Sequence, residues 1–115
     1  MAFLQGTGGG SETPTLLWTN PDTTINFNAQ TVSIDLTNYQ CLIIKTLGIR
    51  GENLYTFQYI NKNEGSAKLV AAYSGNNARV RPITSINDSG ITFASGDSVA
   101  YVIPVEIYGM KKALL

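Results

Sequence analysis

The 115-residue chain has no histidine and a single cysteine, Cys41. Without an imidazole there is no Ser–His–Asp or Cys–His catalysis within the chain, no His-ligated zinc and no histidine pH switch. One cysteine excludes an internal disulfide and any CxxC site. Charge is also scarce. Eight Lys plus Arg balance eight Asp plus Glu, and together they make up 14% of the residues, against roughly 25% in an ordinary soluble domain. A neutral chain lacks the basic footprint of a nucleic-acid binder. No apolar run approaches the roughly 18 residues of a membrane-spanning helix, and no segment reads as a signal peptide. The expectation is therefore no nucleic-acid partner, no membrane insertion, no metal and no cofactor. Hydrophobic residues stand at an ordinary 43%, so the missing charge is replaced by uncharged polar residues: 12 Thr, 10 Asn and 8 Ser, with 11 Gly.

Residues 1–13 read as a flexible Gly-rich arm. Gly6, Gly8, Gly9 and Gly10 keep their backbone entropy and bury little, while Ala2-Phe3-Leu4 ahead of them offers a small apolar anchor. The remainder, 14–115, reads as one β domain.

From Leu16 onward the hydrophobic period is two. Val32, Ile34 and Leu36 alternate with Ser33 and Asp35, as in a strand with one buried face. Cys41 to Ile44 is continuously apolar, as in a strand covered on both sides. In Leu54–Ile60, Tyr55, Phe57 and Tyr59 share one face. Ser98–Tyr108 is the longest β-rich stretch, and Pro104 within it predicts an edge position or a bulge, because proline cannot donate to a ladder. Clusters of Asn, Asp and Gly punctuate these runs and tolerate turn geometry. The spacing predicts strands at 15–19, 24–28, 31–37, 41–47, 54–60, 67–73, 78–86 and 91–94, the last leading into 98–108. Short strands with short turns and almost no helix predict an all-β fold: an antiparallel β-sandwich, jelly-roll-like, of about eight strands.

The expected core comprises Trp18, Ile25, Phe27, Val32, Ile34, Leu36, Leu42, Ile44, Phe57, Leu69, Val80, Ile83, Phe93, Val99, Tyr101, Ile103 and Ile107. Leu47, Ile49, Ile60 and Val102 are then left over. Spare apolar side chains on a weakly charged surface predict cover by another copy.

Catalytic chemistry would fall to carboxylates or to Cys41. Asp88 and Asp97 could pair only if 87–97 folds tightly, and turn chemistry already explains both. Asp35 and Glu106 fit a salt bridge or subunit contact better than a reaction. Cys41 opens an apolar strand with nothing basic beside it, the setting of an inert packed thiol. Asn87-Asp88-Ser89 formally matches a glycosylation acceptor. No catalytic residue is assigned, and the chain is expected not to be an enzyme. The aromatics are the binding candidates, because rings beside amides stack on sugar C–H faces and bond hydroxyls. The candidate ligand-binding residues are Tyr55 and Tyr59, near Asn53, Asn61 and Asn63, and the group Tyr73, Asn76, Asn77 and Arg79. A stand-alone carbohydrate-binding module with an aromatic platform is one reading of this set.

Two segments carry a resemblance. The opening Leu16-Leu17-Trp18-Thr19-Asn20-Pro21, continuing through Phe27 and Ala29-Gln30-Thr31-Val32-Ser33-Ile34-Asp35-Leu36 to Tyr39, is joined by a closing Ile103-Pro104-Val105-Glu106-Ile107-Tyr108-Gly109-Met110-Lys111. Together they resemble small β domains of bacteriophage virion proteins: tail-fibre, receptor-binding, and head-fibre or decoration proteins. The likeness spans about residues 15–111, with the middle, 46–88, unmatched. It implies a jelly-roll-like sandwich, a homotrimer, and a structural or host-surface-binding role without catalysis. The arm would join other virion proteins, and a glycan of the host surface is the ligand the resemblance admits. It also implies location in the virion and assembly in the bacterial host cytoplasm, where the absence of disulfides fits a reducing compartment.

Overall fold

The computed structural model describes residues 13–72 and 78–111. It is an antiparallel β-sandwich of eight strands: β1 (Thr15–Thr19), β2 (Gln30–Ser33), β3 (Cys41–Ile49), β4 (Tyr55–Asn61), β5 (Ala67–Ala72), β6 (Ala78–Asn87), β7 (Gly90–Phe93) and β8 (Tyr101–Met110). One sheet has the order β1-β8-β3-β4 and the other β2-β7-β6-β5. The pairing of β1 with β8 and of β2 with β7 is the outer wrap of a jelly roll. Inside that wrap, β3 turns directly into β4, and β5, β6 and β7 form a meander. A single 3-10 turn, Lys62–Glu64, links the sheets between β4 and β5. Apart from Thr13, the arm lies outside the described residues.

The expected strand at 24–28 is a loop. Asp22 explains why: one of its carboxylate oxygens accepts from the Thr24 N–H and hydroxyl, the local bonding that competes with a ladder. Ile25 consequently stands 56% exposed, whereas Phe27 is buried, its N–H donating to the Val99 carbonyl. The strand expected over 31–37 leaves the ladder after Ser33, where Asp35 caps the Thr37 N–H. Leu36 still reaches the core. Residues 98–100 form a turn closed by Tyr101 N–H to Ser98 O, so the last strand starts at Tyr101 and runs to Met110.

Pro104 lies in a central strand, and the bulge makes this tolerable. On β8, Glu106 faces Lys45 and Pro104 faces Thr46, which leaves Val105 as the extra residue. Asn20 satisfies the disturbed backbone: its N–H donates to Val105 O, and its Nδ2 to Pro104 O at 2.8 Å. The opening and closing segments that carry the resemblance thus form one structural unit. Gly109 belongs to it as well. A Cβ there would lie 2.6 Å from the Tyr39 ring and 2.7 Å from Leu17 Cδ1, so the glycine lets both side chains pack onto β8.

Between the sheets lies a core of Phe27, Val32, Leu36, Leu42, Ile44, Leu69, Ile83, Phe93, Ile103 and Ile107, all among those expected. Three of the four leftover residues, Leu47, Ile60 and Val102, are core too, and Ile49 is half-buried. Phe57, expected inside, is 55% exposed. Thr56, Gln58 and Ile60 take the inward positions of β4, which turns Phe57 out against expectation and leaves Tyr55 and Tyr59 exposed, as their choice as ligand candidates required. Gln58 has a reason to face in. Its Nε2 donates to Lys68 O and its Oε1 accepts from Val70 N–H, so one amide pairs the open edge of β5 as a strand would.

Arg81, on β6, is fully buried. Its Nε donates to Val102 O at 2.8 Å, Nη1 to Ala94 O at 2.7 Å, and Nη2 to Tyr101 O at 2.9 Å and Val99 O at 3.4 Å. The guanidinium lies 5.2 Å from the Phe27 ring centroid. Burial lowers its pKa to about 10, still far above neutrality, so the cation persists inside a cage of carbonyls. Those carbonyls belong to the crossover from β7 to β8 and to the first two residues of β8, where Val102 holds φ +52, a costly value for a β-branched residue.

Arg81→Met, which keeps the stem and removes the donors, is expected to lower unfolding free energy by at least about 3 kcal/mol in urea denaturation, because several buried carbonyls lose their partner together. Arg81→Lys is expected to restore little of it, since one ammonium cannot span the fork. Acid sensitivity has a definite window. The Thr24 hydroxyl and then its N–H hold the Asp22 carboxylate below its ordinary 3.8, and Thr37 does the same for Asp35. A lowered carboxylate contributes stability above its unfolded pKa and loses it as pH falls through the folded one. Denaturation midpoints from these groups are therefore expected to be flat between about pH 5 and 8 and to drop only below about pH 4.

Candidate functional site

The outer face of the β1-β8-β3-β4 sheet collects the most exposed apolar surface. The ladders place Leu16, Tyr108, Ile43 and Tyr59 in one row across all four strands. The next row holds Glu106, Lys45 and Phe57. Tyr55, Phe57 and Tyr59 are 45%, 55% and 63% exposed, and Leu16 adds 49%. Ile43, Phe57, Tyr59, Tyr108, Thr13 and Pro14 enclose an open apolar groove of about 380 Å³. This face follows from β4's phase: with Gln58 and Ile60 turned in, the three rings must turn out.

One ion pair sits within the band, Lys45 Nζ to Glu106 Oε1 at 3.7 Å. Lys45 also lies 4.2 Å from the Tyr55 ring centroid and 5.7 Å from that of Phe57. The Tyr108 hydroxyl donates to Glu106 Oε1, which raises the phenol's pKa above its ordinary 10. Glu106 is thus in the salt bridge its sequence position favoured. Beneath the band, Cys41, Ile43 and Met110 form a small buried cluster with Tyr108 packed on it, which places the thiol among hydrophobes.

Of the predicted ligand residues, Tyr55 and Tyr59 share this face. Their expected amide neighbours do not serve it: Asn61 Oδ1 caps the 3-10 turn by accepting from Asn63 N–H. Tyr73, Asn76 and Asn77 lie outside the described residues. Arg79 is on β6 in the other sheet, its guanidinium 4.7 Å from the Tyr101 ring centroid. Tyr55 and Arg79 therefore do not form one platform. The carboxylates do not converge either. Asp88, at the β6–β7 turn, pairs with Lys62 Nζ at 2.6 Å, and Asp97, beyond the other end of β7, accepts from Val80 N–H. Among the described residues, no group of three Asp, Glu, His or Cys could hold a metal.

Sequence reasoning passed over Gln58 and Arg81. A mid-strand glutamine or arginine carries no signal until the strand's phase and neighbours are known. Comparison with protein-family models, with curated proteins and with solved structures gives no match.

The buried position of Cys41 makes a direct prediction. The native protein is expected to react with a thiol reagent at a rate set by unfolding, and one thiol per chain is expected to titrate at once in denaturant.

Proposed function

We propose that this chain is a structural protein that works as a homo-oligomer through the outer face of the β1-β8-β3-β4 sheet. The carrying observation is the four-strand apolar row with its three exposed rings and adjoining groove. Large exposed patches of this kind mark association surfaces, and aromatic residues are enriched at such interfaces. A second copy suits the face better than a charged partner. The chain's net charge is zero, so copies do not repel, and the one charged pair in the band is already neutralised internally.

The resemblance of the opening and closing segments extends this reading to a trimer in a bacteriophage virion, of fibre-tip or decoration type, with residues 1–13 as the tether to other virion proteins. In support, the two segments pack on each other through Asn20, Leu17, Tyr39 and Gly109, so the likeness rests on one coherent piece of structure.

Light scattering of the full chain is expected to give three times the 12.4 kDa chain mass. Phe57→Lys with Tyr59→Lys is expected to give folded monomers that still unfold cooperatively in urea, because neither side chain is buried within a single copy, with a midpoint that no longer depends on protein concentration. A wild-type protein that runs as a monomer at all accessible concentrations removes the proposal. The virion assignment is tested by the flanking genes, expected to encode other capsid or tail components.

A further inference from the structure

A second concavity lies apart from the oligomer face. Trp18 faces Ile107 across the β1–β8 ladder, and Ile107 is fully buried, so the indole is on the inner side of β1. It lines a hollow of about 200 Å³ with the crossover from β1 to β2, including Asp22, Ile25, Asn26, Phe27 and Gln30. The space is below the roughly 300–1,000 Å³ of a drug-sized site, so it suits one small ring.

The chemistry of the lining is specific. Among the described residues neither the Trp18 indole N–H nor the exposed Asn26 amide has a hydrogen-bond partner; Trp18 is held by the β8 ladder and by its edge contact with Phe27 at 6.2 Å. Asp22 commits one carboxylate oxygen to Thr24 and leaves the other open. Gln30 donates through Nε2 to Asn28 O, which leaves Oε1 open. The lining therefore offers both donors and acceptors beside an apolar wall formed by Ile25 and the rings. An ammonium ligand would leave the indole and amide donors unmet. An anion would meet the Asp22 carboxylate with no cation in the lining to offset it. A hydroxyl both donates and accepts, and a pyranose carries several hydroxyls beside an apolar C–H face.

We propose that this hollow is a binding subsite for one neutral monosaccharide unit, with Trp18, Asp22, Asn26 and Gln30 as its polar contacts. The site is independent of the oligomer reading, since it stands on the other side of β1 from that face.

Trp18 is the sole tryptophan, so its fluorescence reports this hollow alone. The full-length protein is titrated with methyl glycosides of glucose, galactose and mannose and with N-acetylglucosamine. At least one is expected to change the emission with roughly millimolar affinity, as suits a small open subsite, and to shift the Trp18 indole N–H and Asn26 side-chain amide resonances. Asn26→Ala and Asp22→Asn are each expected to weaken binding about tenfold. Asn26→Ala should leave the urea midpoint nearly unchanged, because the exposed Asn26 amide bonds nothing among the described residues, and Asp22→Asn should lower it only as far as acid titration of Asp22 does, since asparagine keeps an acceptor for the Thr24 cap. Silence from all four sugars by both methods overturns the proposal. So does a response to tetramethylammonium in their place, or sugar-induced shifts confined to Tyr55 and Tyr59. Each result reads the same in monomer or trimer, so failure here is separate from failure of the oligomer.

Discussion

The Arg81 guanidinium holds this sandwich together at its most awkward point. The chain must cross from β7 in one sheet to β8 in the other, and the crossover presents carbonyls to the interior that no ladder can satisfy. Arg81 supplies the donors from β6, reaching Ala94, Val99, Tyr101 and Val102. A carboxylate partner would have met the charge but not the carbonyls. A fork of fixed geometry meets them together, and the Phe27 ring receives its face. Once the crossover is fixed, so is the entry to β8, the central strand on which β1 and β3 both depend. The left-handed backbone at Val102 is the local cost of that entry.

The same economy of polar groups appears at the opposite edge. β4 and β5 are the terminal strands of different sheets, and either could template unwanted pairing. Gln58 closes β5 with one side-chain amide, and doing so sets the phase of β4. The rings on Tyr55, Phe57 and Tyr59 are exposed as a consequence. Closure of one edge and creation of an apolar outer face are thus a single structural event. Lys45, held between Glu106 and the Tyr55 ring, keeps that face neutral.

The groove by Tyr59 and the hollow by Trp18 lie on opposite sides of β1 and differ in kind. The groove by Ile43 and Tyr59 is mainly apolar. The hollow by Trp18 is smaller and sets the indole beside the Asp22, Asn26 and Gln30 side chains. One suits a repeated protein surface and the other a hydroxylated ring.

The period of two, the Asn, Asp and Gly turns and the absence of long helical pattern were enough for an eight-stranded sandwich, because strand periodicity and turn chemistry are local properties. All eight observed strands overlap expected runs, and the one expected run without a strand, 24–28, failed for a local reason too: the Asp22 cap outcompetes the ladder. The buried character of Cys41 and the ion pairing of Glu106 were legible from their neighbours in the chain. The phase of β4 was not. Alternation shows that two faces differ, and only the partner across the edge decides which is inside. Nor could sequence place Leu47, Ile60 and Val102 in the core or see four carbonyls meet one arginine. Those contacts join residues far apart in the chain, and their energies exist only once the two sheets have closed.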